Sequence, residues 1–135
     1  MNETNTINII VCRIGKKAEV IEIPDQPGVQ VEYEELLLRE AAAPSPEDVG
    51  FYSLIPGVSI ICHDSGRILG LEPNRDLRSV GSHLLVGPFL LSKYETSGPR
   101  QGENARFTEE EAQAAVALMD KWICTLVHGV PDEAA

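Results

Sequence analysis

The segment from Phe107 to Leu126 carries the clearest local instruction in this chain. Thr108 is followed three residues later by Glu111, so each side chain can satisfy a backbone amide at a helix start. Phe107, just ahead of that cap, is placed to pack on Ala112 as a hydrophobic staple. Ala112, Ala115, Val116, Met119, Trp122, Ile123 and Leu126 then fall on one apolar stripe, and Gly129 and Pro131 follow as a helix stop. A helix that is apolar along one side must lay that side on something, so the rest of the chain has to supply an apolar face. The competing use of the stripe is a dimer or partner groove centred on Trp122, because Trp is enriched at binding hot spots.

What precedes the helix reads mainly as strands. Ile7–Ile14 is short and rich in β-branched residues, Gly15-Lys16-Lys17 turns, and Ala18–Ile23 runs up to Pro24 with Val20 and Ile21 apolar between Glu19 and Glu22. The simplest arrangement is an antiparallel hairpin with its polar side wet. A helix is predicted over Glu32–Ala43, with Tyr33, Leu36 and Leu37 at helical spacing and Pro44-Ser45-Pro46 at its end. Gly50–Ile55 and Val58–His63 read as strands about the Pro56-Gly57 turn. Asp64-Ser65-Gly66 suits a three-residue loop that returns Arg67–Leu71 as a partner, which makes 58–71 the strongest hairpin signal. Glu72–Asp76 leaves the sheet. Leu84–Lys93 is the last long apolar run, and Pro88 lacks an amide proton, so that strand is expected at an edge or bulged. An exposed edge there would allow sheet pairing between chains, and so a homodimer. Ser97–Asn104 reads as a polar loop.

The expected fold class is α+β, a single domain over 1–135 with frayed ends at 1–6 and 130–135. It is a mainly antiparallel sheet of roughly five or six strands with the two helices packed on one face. Val11, Ile21, Leu37, Ile60, Leu69, Phe89, Val116 and Trp122 are the expected core. A chain of 135 residues that is 43% apolar can bury a core without staples.

Charge narrows the function classes. The chain has 21 acidic and 11 basic side chains, a net charge of −10. Residues 1–48 hold ten acids and four bases, 49–100 hold four and five, and 101–135 hold seven and two. Direct nucleic-acid binding is not expected, since phosphate recognition relies on Lys and Arg. The acidic flanks serve solubility, or form a face for a basic partner. Cys12, Cys62 and Cys124 are odd in number and widely spaced, giving neither a disulfide framework nor zinc spacing. The N-terminus lacks a signal-peptide pattern and no run reaches the length of a membrane span, so the expected setting is reduced and cytoplasmic, away from membranes.

No residue set points to catalysis, a metal or a cofactor. His63, Asp64 and Ser65 are adjacent, and adjacent strand residues face opposite sides, so adjacency does not assemble a nucleophile and its base. His83 and His128 have no ligand partner at helical spacing, and no glycine-rich phosphate loop is present. Glu34-Glu35 and Glu109-Glu110-Glu111 sit at helix starts, where the macrodipole favours solvated carboxylates. Arg75, with Arg67 and Arg78 nearby, is the candidate basic spot, because guanidinium holds carboxylate or phosphate with two parallel bonds. The structural alternative pairs Arg75 with Glu72, Asp76 or an acid on a helix.

The run Val58-Ser59-Ile60-Ile61-Cys62-His63-Asp64-Ser65-Gly66-Arg67, then Leu69-Gly70-Leu71-Glu72-Pro73-Asn74-Arg75, then Leu85-Val86-Gly87-Pro88, resembles an uncharacterised domain family. Its members are small proteins encoded by phages, plasmids and conjugative elements, known only as a domain of unknown function. The likeness covers about residues 7–95 plus Phe107–Glu111, and departs from it in the longer Ala41–Val49 segment and the long C-terminal helix. The resemblance implies a mobile-element setting and no particular activity.

Three expectations follow. The first is a non-enzymatic protein that binds an unidentified host or rival protein through the acidic faces around Glu32, Glu35, Glu109 and Glu110, or through the Asn74–Arg75 loop. The second is a mimic of DNA that blocks a DNA-binding enzyme with those same acids. The third is a small-molecule binder or weak enzyme with a pocket near His63, Arg67, Asn74 and Arg75.

Overall fold

A computed structural model describes residues 6–26, 28–39, 49–63 and 72–124. The strand predicted over Arg67–Leu71, the expected core residue Leu69 and the helix stop at Gly129 and Pro131 lie outside the described residues, as does the side chain of Leu37.

β1 (Thr6–Cys12) and β2 (Glu19–Pro24) form the expected antiparallel hairpin. α1 (Val29–Arg39) follows, and then β3 (Val49–Ile55) and β4 (Val58–His63) form a second antiparallel hairpin. Its Pro56-Gly57 turn holds Gly57 at φ +88°, a region that favours glycine, and the Gly57 carbonyl accepts the Tyr94 amide at 2.9 Å. β5 (Pro73–Asp76), β6 (Leu84–Val86), β7 (Phe89–Tyr94), β8 (Asn104–Ala105) and α2 (Glu109–Lys121) complete the described chain.

The sheet is antiparallel and six-stranded, in the order β2-β1-β7-β4-β3, with β8 added to β7. The class is α+β. The predicted Leu84–Lys93 strand divides in two. β6 pairs with β5 in a separate two-stranded sheet, whereas β7 is central, between β1 and β4. Pro88 falls between the two strands, where no ladder amide is needed, so its effect is to end one strand rather than to mark an edge. β7 therefore offers no edge for pairing between chains, whereas β6, among the described residues, pairs with β5 alone. Among the described residues the edges of the main sheet are β2 and β3. Glu72–Asp76 does leave that sheet, but as the strand β5.

The helices lie on opposite faces, not on one. Consecutive residues of β1, β4 and β7 are apolar, and alternation sends them to two separate cores. Ile9, Val11, Ile61 and Leu90 join Ile23 on one face, with Val29 of α1 packed against them. Ile10, Cys12, Ile60, Phe89 and Leu91 join Phe107, Ala112, Met119 and Trp122 on the other. Strands apolar on both faces need two covers, and each helix supplies one. α1 meets the sheet through Gln30: Ser92 Oγ donates to Gln30 Oε1 at 3.2 Å, while within the helix Gln30 Nε2 donates to Glu34 Oε2 at 2.9 Å. Tyr33 of the predicted apolar stripe points to solvent instead.

α2 begins as predicted. Thr108 Oγ1 accepts the Glu111 amide at 3.1 Å, and Glu111 Oε1 accepts the Thr108 amide at 2.8 Å. Phe107 and Ala112 share the same core, as a staple requires. Asn8 fixes the approach: its side chain accepts the Phe107 amide at 2.8 Å and donates to the Phe107 carbonyl at 3.2 Å, bridging β1 to the segment that enters the helix. The helix ends at Lys121, short of the stripe's Ile123 and Leu126. The chain there turns to β5, with the Asp76 amide donating to Trp122 O at 3.1 Å and the Cys124 amide to Asn74 O at 3.0 Å. Backbone pairing with a strand has taken over from helical bonding. Trp122 is buried in the core rather than the centre of a partner groove. Of the other expected core residues, Val11, Ile60 and Phe89 are buried, and Ile21 and Val116 are partly buried against the two cores.

Candidate functional site

Asn74 and Arg75 form a buried polar knot, not an exposed loop. Both are 0% exposed, on strand β5. Arg75 Nε donates to Met119 O at 2.7 Å, Nη2 to Lys16 O at 2.6 Å and Nη1 to Asn74 Oδ1 at 2.5 Å. Asn74 Nδ2 donates to Cys12 O at 2.9 Å and to Gly87 O at 2.8 Å. The two side chains thus tie together the β1–β2 turn, the β6–β7 link and the end of α2. Asp120 adds to the knot: it accepts the Ala18 amide at 2.7 Å and stands 3.7 Å from Arg75 Nη2. Burial lowers the guanidinium's pKa, opposed by Cys12 and Asp120. Burial also pushes the neighbouring Cys12 thiol up to about 12, against the pull of Arg75. These groups hold the fold; a ligand outside has no donor here to meet.

The basic spot expected from three arginines does not form. Arg75 points inward, and Arg78 pairs with Asp76, donating through Nε at 2.8 Å and Nη2 at 2.7 Å. Those bonds hold the Asp76 carboxyl below the usual carboxylate range. Arg67 lies outside the described residues. His63 is buried on β4, in a different sheet from Asn74 and Arg75.

The expected acidic face is likewise divided. Glu32 is exposed in the first turn of α1, and Glu109 and Glu110 are exposed in the first turn of α2, on the opposite side of the sheet. The Glu35 side chain lies outside the described residues. Glu111 is held by Lys93 at 2.6 Å, which lowers its pKa.

Sequence reasoning did not single out the sheet's two edges. One row of paired residues runs Glu19, Val11, Leu90, Ile61, Phe51 across the sheet, from β2 to β3. At the β2 end it closes on a charge. β2 also carries Glu22, to which Arg106 donates through Nη2 at 2.8 Å, and it ends at Pro24. An open hollow of about 600 Å³ lies between β2 and the start of α2, with Glu22 and Arg106 on its wall.

At the β3 end the row closes on Phe51, 65% exposed. Ile55 is 57% exposed, and no residue from Val49 to Ile55 carries a charge. The two sides of β3 differ. Beside Phe51, on the α1 side, is a cleft of about 470 Å³ lined by Asp25, Gln30, Val31, Glu34, Arg100 and Glu103. On the α2 side a groove of about 230 Å³ runs between Leu54, Ile55 and Val58 and the Ala114, Ala115 and Leu118 face of α2. The register shift between Ser53 and Ile55 bends the strand, so straight pairing is confined to the stretch before it. The lack of charge does not single this strand out in the sequence, because β1 is an equally uncharged seven-residue run and lies inside the sheet.

Among the described residues no helix is long and apolar enough to cross a membrane, and no group of three or more His, Cys, Asp or Glu could hold a metal ion. No family model, curated protein or solved structure matches this chain, so the resemblance to the mobile-element family rests on the quoted residues alone.

Proposed function

We propose that this chain is a non-enzymatic interaction module that takes an extended segment of a partner protein onto the edge of β3. The observation that carries the reading is the uncharged edge strand, with Phe51 and Ile55 exposed, on a molecule of net charge −10. Proteins usually guard an edge with charge or proline, because its backbone groups are a template for another strand. β2 has such guards and β3 lacks them. In strand addition, backbone hydrogen bonds supply affinity and alternate side-chain pockets supply specificity. The resemblance supports a mobile-element origin, and with it a host or rival protein as the partner. No particular observation favours the other two expectations. The acids are split between faces, and Asn74 and Arg75 are buried.

The test compares edges. Wild type, Phe51→Lys on β3 and Val20→Lys on β2 are immobilised and exposed to a bacterial lysate. The reading predicts the same captured protein with wild type and Val20→Lys, and its loss with Phe51→Lys at unchanged melting temperature. Equal capture by all three would overturn it.

A further inference from the structure

We infer that a short acidic segment of a partner protein docks on the lysines around the β1–β2 turn, a surface separate from the β3 edge. The Arg75 knot gathers bases into one neighbourhood. Its guanidinium bonds both Lys16 O and Met119 O, so it joins the turn to the last turn of α2. Asp120 makes the same join through the Ala18 amide, and Lys121 follows it. Arg13 stands at the base of the turn, and Arg78 is held by Asp76, the residue after Arg75.

The acids of this neighbourhood are engaged. Glu19 lies 3.5 Å from Arg13 Nη1, Asp76 holds Arg78 at 2.7 Å, and Asp120 accepts the Ala18 amide 3.7 Å from Arg75. Lys16, Lys17 and Lys121 are exposed, and among the described residues they make no ion pair. The Lys121 ammonium instead lies over the Trp122 ring, 5.3 Å from its centroid. Three free cations thus surround the knot of a chain whose net charge is −10. The turn keeps its shape without their help. The Lys16 amide donates to Arg13 O at 3.1 Å, Gly15 takes φ +71°, and Lys16 O is drawn inward to Arg75. The ammonium groups are left for a ligand.

The extent of the spot selects the partner. A nucleic-acid duplex or an anionic bilayer repeats its charge well beyond these lysines, and would be pressed against exposed Glu19 and Glu22 on β2. A short acidic segment sets its carboxylates at the lysines alone, where opposite charge steers encounter and fixes register.

The experiment uses the full chain and three capped synthetic peptides, alternating serine with glutamate, glutamine or lysine. Binding is followed by fluorescence anisotropy at low and moderate salt. The serine–glutamate peptide is expected to bind at least about tenfold tighter than either other, with an advantage that shrinks as salt rises. Lys16→Gln and Lys17→Gln together should weaken it about tenfold at unchanged melting temperature, because only the backbone of Lys16 serves the knot. Lys121→Gln alone should weaken it about threefold, whereas Arg100→Gln, whose guanidinium is engaged by Glu103, should not. No preference for glutamate, or a preference untouched by the lysine variants, overturns the inference. A mixed-sequence DNA duplex that binds tighter than the peptide, and is lost in the same double variant, assigns the lysines to nucleic acid and overturns it as well.

Discussion

The row Glu19, Val11, Leu90, Ile61, Phe51 begins and ends at an edge of the same sheet, and the two ends are built on opposite terms. On the β2 side, charge faces solvent and the strand's approach is anchored. The Ala18 amide donates to Asp120, Arg75 reaches Lys16 O, and Arg106 pairs with Glu22. On the β3 side, an aromatic ring closes the row and remains exposed. Burying a side chain the size of Phe51 or Ile55 gains about 1.5–3 kcal/mol, and at β3 that gain is left for another molecule. A cation held inside and an aromatic ring held outside, Arg75 and Phe51, are the two ends of this contrast.

The largest effect should come from cutting the anchor on the β2 side. Arg75→Leu leaves the carbonyls of Met119 and Lys16 without their donor and should destabilise the fold by about 3–5 kcal/mol in urea unfolding. Hydrogen exchange should rise first in the β1–β2 turn and the last turn of α2. A loss below about 1 kcal/mol would show that the knot is not what holds that side.

Next comes the β3 edge. Phe51→Ser should change stability by no more than about 0.5 kcal/mol, because the ring is exposed. It should nevertheless weaken binding of the captured partner about tenfold. Stability and binding then separate between the two residues, as the comparison requires.

A smaller effect belongs to Asp76, beside the knot. Arg78 depresses its pKa in the folded chain, so the ionised carboxylate contributes stability above the ordinary aspartate range. That contribution fades as pH falls through the depressed folded value. Asp76→Asn should therefore be less stable than wild type at neutral pH, and the gap between their melting temperatures should close on acidification below about pH 4. A gap that widens in acid would contradict this.

The smallest effect is expected at the guard itself. Glu22→Gln removes an exposed pair with Arg106 and should leave the melting temperature and partner capture unchanged, since surface pairs of this kind contribute little.

Much of the fold was legible, and the rest was hidden for physical reasons. The β1–β2 hairpin, the capping box at Thr108 and the limits of β4 follow from local residue patterns, and the structure has them. The placement of the helices on opposite faces has its own signature in the sequence. Ile9-Ile10-Val11, Ile60-Ile61 and Leu90-Leu91 are apolar at consecutive positions, which already calls for cover on both faces. β7 was masked by Pro88, which sits between strands rather than within one. Arg75 could not be placed from sequence. Its burial follows from carbonyl groups on segments 44 and 59 residues away, and only the folded chain brings them together. Phe51 was the reverse case, since an aromatic ring in a strand reads as core until the strand is known to be an edge.

The most direct measurement is an amide chemical-shift titration of the full chain with the partner protein that wild type captures. Strand addition at β3 predicts shifts concentrated at Gly50–Ser53 and at the cleft residues Val31 and Glu103, with β2 silent. Shifts concentrated on Val20 and Glu22, or none at saturating partner, would contradict strand addition at β3.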